Sequence, residues 1–206
     1  GVRDLRWDLS GVSIVRYLDV RTGRVQDLTR NTRYYNPQPS PEGDRLAVVE
    51  YAVSGETFLT IISALDGTVL SRQRAPEGVQ LTESAWDGGK VYCAGLSADG
   101  YGIYEAGDLW KTVLPPSHQK LVNLGGGDGC LNWVSDRTGV NELYQYHLES
   151  GELLQMTSTR YGATDFCPVG DTLYCISQTL QGKQLFSAPL SSLKPRDARF
   201  EDLHSY

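Results

Sequence analysis

The chain has 206 residues, with 19 Lys+Arg against 25 Asp+Glu, a formal net charge of −6, 40% hydrophobic residues and 21% charged ones. That composition belongs to an ordinary globular protein long enough to bury a core, and it excludes collagen, bulk disorder and a coiled coil. No run of about 18 apolar residues exists, so no insertion into a membrane is expected, and an acidic balance without a Lys/Arg run argues against nucleic acid as a partner.

The chain opens at Gly1 with neither a basic n-region nor an apolar h-region, so no signal peptide is expected here; Gly1 before Val2 fits the scar of a removed tag on an excised domain. The first predicted strand lies near Val2–Trp7. A second follows from Ser10-Gly11 to Tyr17, then a Thr22-Gly23 turn and a polar strand over Val25–Thr29. The next unit starts with Tyr34–Pro39, turns at Glu42-Gly43-Asp44, runs through Leu46–Val49, passes Ser54-Gly55 and Phe58–Ile61, and turns again at Asp66-Gly67. The third repeats the order with Leu81–Trp86, Asp87-Gly88-Gly89, Val91–Cys93, Ser97-Ala98-Asp99-Gly100 and Ile103-Tyr104. The fourth has Leu121–Gly125, Gly127-Asp128-Gly129, Leu131–Val134, Ser135–Gly139, Leu143–Leu148, Ser150-Gly151 and Leu153–Thr157. The fifth has Thr164–Pro168, Gly170-Asp171, Leu173–Ile176, Ser177 and Gln184–Ala188. β-Branched and aromatic residues fill the runs, and Gly supplies the positive φ of the hairpin turns.

The leading serines, Ser10, Ser54, Ser97, Ser135 and Ser177, are 44, 43, 38 and 42 residues apart. A period of about 40–45 residues is that of one four-stranded propeller blade. The expected fold class is therefore all-β: a β-propeller of four-stranded antiparallel blades, about five in this chain. We read residues 1–206 as one propeller or partial propeller, with blades over 1–33, 34–79, 80–118, 119–160 and 161–206. The first blade lacks an inner strand. Two arrangements stay open: Ala198–Leu203 supplies that strand and closes the ring, or the chain is an arc of a larger, six-bladed propeller whose end faces lie exposed.

The fourth unit, Trp133-Val134-Ser135-Asp136-Arg137-Thr138-Gly139-Val140-Asn141-Glu142-Leu143-Tyr144, resembles the WD-repeat-like blades of TolB-type β-propellers. In the second unit Ser40-Pro41-Glu42-Gly43-Asp44 resembles their Ser-Pro-Asp-Gly turn, with Glu42 in the Asp place. The resemblance implies a rigid scaffold for protein or peptide binding, often extracytoplasmic in bacteria. It also implies an alternative, an accessory propeller beside a peptidase domain. The family brings no catalytic residues, so its repeated Ser, Asp and Gly are turn-formers here.

No motif specifies a chemistry. Gly95-Leu96-Ser97-Ala98-Asp99-Gly100 lies between strands and misses the nucleophile-elbow spacing. Its likeness to the Asp-box of sialidase propellers fails at Tyr101. Gly125–Gly129 leads into a strand, not the helix a phosphate cradle needs. His118, His147 and His204 have no shared spacing, and no calcium-loop pattern appears. Cys93, Cys130, Cys167 and Cys175 show no CxxC, so they read as small buried hydrophobes, with one disulfide left open. We expect no enzyme, no catalytic residue, no metal site and no cofactor.

There are 12 Tyr and 4 Trp against 4 Phe. Tyr17, Tyr104, Tyr144 and Phe186 sit where blades pack on one another. Tyr34 and Tyr35, on an inner strand next to the axial channel, are the first candidate binding residues. Tyr101 and Tyr161, placed in loops, are the second. The expected partner is a protein or peptide, which includes neighbouring domains of a parent chain.

Overall fold

A computed structural model describes residues 11–198. These residues form five antiparallel sheets that follow one another in chain order. The first pairs β1 (Arg16–Leu18) with β2 (Val25–Asp27), and an isolated bridge joins Ser13 to Thr32. The second is β3 (Tyr34–Pro39), β4 (Arg45–Tyr51), β5 (Thr57–Ser63) and β6 (Val69–Arg74). The third is β7 (Gln80–Asp87), β8 (Lys90–Ser97), β9 (Gly100–Glu105) and β10 (Lys111–Ser117). The fourth contains β11 (Val122–Gly127), β12 (Cys130–Ser135), β13 (Glu142–His147) and β14 (Leu153–Gln155). The fifth has β15 (Ala163–Val169), β16 (Thr172–Thr179) and β17 (Gly182–Pro189), followed by a 3-10 turn over Leu190–Ser192. In every sheet the strands pair in sequence order, which is the meander of a propeller blade.

Turn chemistry sets the hairpins. Gly88 and Gly89 join β7 to β8 with φ of 52° and 80°, the two left-handed residues that a tight hairpin requires. The inner strands share a second device. The ladder slips between Tyr35 and Gln38 in β3, between Val122 and Gly125 in β11, and between Thr164 and Cys167 in β15. Asn36, Asn123 and Asp165 take up these slips with φ of 52°, 57° and 53°. Asn and Asp enter that region at least cost among residues with a Cβ, and a bulge sharpens strand twist. Close packing of inner strands has its own residue requirement: a Cβ on Gly126 would lie 2.4 Å from the Trp86 carbonyl oxygen.

Alternation along the middle strands explains their continuous apolar runs. In Val91-Tyr92-Cys93-Ala94, Val91 and Cys93 pack toward the second sheet with Ala47, Val49, Leu59 and Leu81. Tyr92 and Ala94 pack toward the fourth, with Ile103, Leu114, Leu121, Leu131 and Trp133. A sheet buried on both faces has no polar face to show. Trp86 also crosses the first of these seams, its Nε1–H donating to the Gln38 carbonyl at 3.0 Å.

The predicted strands of the second to fifth units coincide with β3–β5, β7–β9 and β11–β17 to within a few residues, and β6 and β10 complete the second and third sheets. Two differences stand out. The strand expected from Ser10-Gly11 to Tyr17 forms a ladder only from Arg16, because Ser13 bridges to Thr32 instead. The expected strand at Val2–Trp7 lies outside the described residues. At the other end, β18 (Arg196–Asp197) pairs with β14 at the outer edge of the fourth sheet, and Ala198 N–H donates to the Leu153 carbonyl at 2.9 Å. The tail thus reaches the fourth blade's outer edge at Ala198, and the rest of the proposed closing strand lies outside the described residues.

Candidate functional site

Of the four candidate tyrosines, Tyr35 and Tyr101 both lie near Tyr51. Tyr34 and Tyr35 occupy β3 on opposite faces. Tyr34 is half-buried, and its backbone N–H donates to Ser13 Oγ at 2.8 Å. Burial pushes its hydroxyl above the ordinary tyrosine range, with the Glu50 carboxylate adding to the effect. Tyr35 is exposed and meets Tyr51 edge-on, ring centroids 5.0 Å apart. Tyr51 donates from its hydroxyl to the Leu81 carbonyl at 3.0 Å. Burial raises the Tyr51 hydroxyl pKa, the nearby Tyr35, Tyr101 and Glu83 raise it further, and Gln80 opposes them through a hydrogen bond. Tyr101 lies in β9 and packs against the core between the third and fourth sheets, whereas the sequence reading placed it in a loop. The positive φ of Gly100 ends the turn one residue earlier, so the ladder starts at Ser97↔Gly100. Tyr161 sits between β14 and β15 with the Arg160 guanidinium 5.1 Å from its ring.

The cysteines are four free thiols: Cys93 and Cys130 are buried, Cys175 is half-buried and Cys167 exposed. Cys130 Sγ lies 3.3 Å from His147 Nδ1 across the β12–β13 ladder. Burial raises the Cys130 pKa, and Asp87 and Asp128 raise it further. A thiolate nucleophile needs the opposite surroundings. His118 is exposed, and His204 lies outside the described residues. Among the described residues no three His, Cys, Asp or Glu side chains gather to hold a metal ion, and no helix is long and apolar enough to cross a membrane.

The exposed surface of chemical interest is the far face of the fifth sheet. In the second, third and fourth sheets the pairs Val49↔Leu59, Ala94↔Ile103 and Val134↔Leu143 face the next sheet. Leu59, Ile103 and Leu143 are 2%, 0% and 6% exposed. The corresponding pair in the fifth sheet is Ile176↔Leu185, and Leu185 is 70% exposed. Tyr174 and Val169 are exposed beside it. Near the axis the seam between the fourth and fifth sheets holds a cavity of about 480 Å³, lined in part by Asn132, Leu143, Gln145 and Leu173. The exposure of Leu185 is not legible in the sequence, where it reads as an ordinary alternating apolar residue in a column that the second to fourth sheets bury.

No protein-family profile and no curated protein sequence matches the chain. Solved structures do. TolB from Acinetobacter baumannii superposes with a TM-score of 0.70 at 11% identity, over 89% of this chain and 48% of that one. A puromycin-hydrolysing peptidase of Mycobacterium tuberculosis gives 0.64 at 18% identity, over 85% and 30%. The β-propeller domain of the Trilobed protease from Pyrococcus furiosus, which has an open velcro topology, gives 0.55 at 13%, over 93% and 77%. The chain spans less than half the length of the first two. At these identities the likeness shows the fold alone, and with the meandering blades and their period it leads to one conclusion: the chain has a β-propeller fold like that of TolB.

Proposed function

We propose that this propeller is a non-catalytic scaffold that binds a protein or peptide partner, outside the cytoplasm. The observation that supports it is the uncovered face of the fifth sheet, where Leu185 is 70% exposed at a register position that the three preceding sheets bury. An apolar face with Tyr174, Ile176 and Val169 around Leu185 and polar Gln178 and Lys183 on its margin is typical of a surface that another molecule covers. The test is affinity capture from extract and envelope fractions of the source cells at about 0.15 M salt, with the folded domain and its Leu185→Asp variant as baits. A specific partner held by the wild type and lost from the variant supports the proposal. Nothing retained by a folded, monomeric wild-type bait overturns it.

A second reading has its own support. Two of the structural neighbours named above are peptidase chains or a protease's propeller, and one of them is matched over only 30% of its length. In that reading the domain sits beside a catalytic domain of its own parent chain and positions or gates a peptide substrate. An immunoblot of source cells decides: a native chain no larger than 22.7 kDa rejects this reading, and a much larger one supports it.

A further inference from the structure

The seam between the fourth and fifth sheets is built differently from the two seams before it. At the strand pair nearest the axis that faces the next sheet, the second sheet presents Ala47 opposite Ile61. In the third sheet the matching pair is Tyr92 opposite Glu105, whose carboxylate accepts from Lys90 Nζ at 2.7 Å. The fourth presents Asn132 opposite Gln145. Both amides line the cavity of about 480 Å³, together with Leu143, Met156, Phe166 and Leu173. Sites for small ligands span roughly 300–1,000 Å³ and combine apolar walls with a few placed polar groups.

The two amides are half satisfied. Gln145 Nε2–H donates to Asn132 Oδ1 at 3.1 Å. That leaves the Asn132 amide N–H groups, the second Gln145 amide N–H and the Gln145 carbonyl oxygen without a partner among the described residues. Free donors and a free acceptor therefore stand side by side in a cleft. Rotating both amides together exchanges the two roles and still leaves both kinds. A peptide unit carries the complement, a C=O to accept and an N–H to donate. Both amides are half-exposed and reach solvent, so a ligand with matching groups replaces water at this pair without loss of hydrogen bonds.

We propose that the cleft between the fourth and fifth blades binds an extended peptide segment. One peptide unit hydrogen-bonds to Asn132 and Gln145, and a neighbouring apolar side chain rests on Leu143, Met156, Phe166 and Leu173. The inference rests on the reading of this domain as a protein or peptide binder and adds a second site, on the side of the fifth sheet opposite Leu185.

The test is NMR titration of the ¹⁵N-labelled whole chain with two probes. One is acetyl-Leu-Gly-Leu-amide. The other is its ester analogue, in which oxygen replaces the glycine N–H. The peptide is expected to move the side-chain amide signals of Asn132 and Gln145, and the ester to bind about tenfold more weakly, the effect of one lost hydrogen bond in a sheltered site. In the Asn132→Leu, Gln145→Leu double variant the two probes are expected to bind alike. Unmoved side-chain amide signals, or equal affinity of wild type for peptide and ester, overturn the proposal without need of any variant. The two readings fail separately. A captured partner that is lost from Leu185→Asp but binds the double variant unchanged removes the cleft and keeps the scaffold. A blank capture removes the scaffold reading itself.

Discussion

Glu142 is buried to 1% exposure and accepts three hydrogen bonds: from Thr157 Oγ1 at 2.5 Å, from the Thr159 backbone N–H at 2.6 Å and from Thr159 Oγ1 at 2.9 Å. The carboxylate ties the segment after β14 to the start of β13, and Leu143 N–H donating to Thr157 Oγ1 completes the knot. Hydrogen bonds to a charged group are worth more than neutral ones, and groups left unpaired add their desolvation cost. Glu142→Ala is expected to lower stability by about 2–3 kcal/mol and Glu142→Gln by less. Urea titration at neutral pH checks this, and equal midpoints for wild type and Glu142→Ala would reject the clamp. In the sequence Glu142 reads only as part of a blade-like motif; its burial follows from Thr157 and Thr159 folding back, which no local pattern shows. Tyr101 carries the same lesson, since one positive-φ glycine decides whether it lies in a loop or in a strand.

At the scale of the strand pair, chemically similar residues differ by what covers them. Ile103 and Leu185 hold the same register place in the third and fifth blades, one fully buried and the other exposed. Ile103→Ala leaves a cavity in the seam between the third and fourth sheets and is expected to cost about 2–5 kcal/mol. Leu185→Ala is expected to fall within about 0.5 kcal/mol of wild type. Chemical denaturation of both variants tests the comparison, and a large loss for Leu185→Ala would mean that the fifth sheet's face is covered within this chain. The strands themselves were legible: alternating faces explain why runs such as Val91–Ala94 are apolar throughout, and Gly-containing turns mark where each run ends. The amide pair Asn132–Gln145 was not legible as a site, because each residue alone is an ordinary strand residue and only the ladder places them opposite each other.

Across the described residues, packing is densest in the second to fourth sheets and falls off in the first and the fifth. The second to fourth sheets share two apolar seams, and most of β17 is exposed. Local opening free energy follows buried apolar contact, so amides of β16 and β17 are expected to exchange with solvent much faster than those of β8 and β12. Hydrogen-exchange mass spectrometry on the chain alone reads this gradient. Uniform protection would contradict it, and added protection of β17 in the presence of a captured partner would locate that partner on the free face.

The five-fold repeat, the four-strand meander and the propeller fold were determined by sequence alone, because turn residues and strand periodicity act locally and recur at a fixed spacing. The tertiary structure decided the rest. It sent Arg196–Asp197 to the outer edge of the fourth sheet, drew Tyr101 into a strand, opened a cleft around Asn132 and Gln145, and left Leu185 uncovered. Apart from Tyr101, which the adjacent Gly100 turn places, these depend on which sheet lies against which, and that is settled by contacts between residues far apart in the chain, beyond the reach of any local pattern.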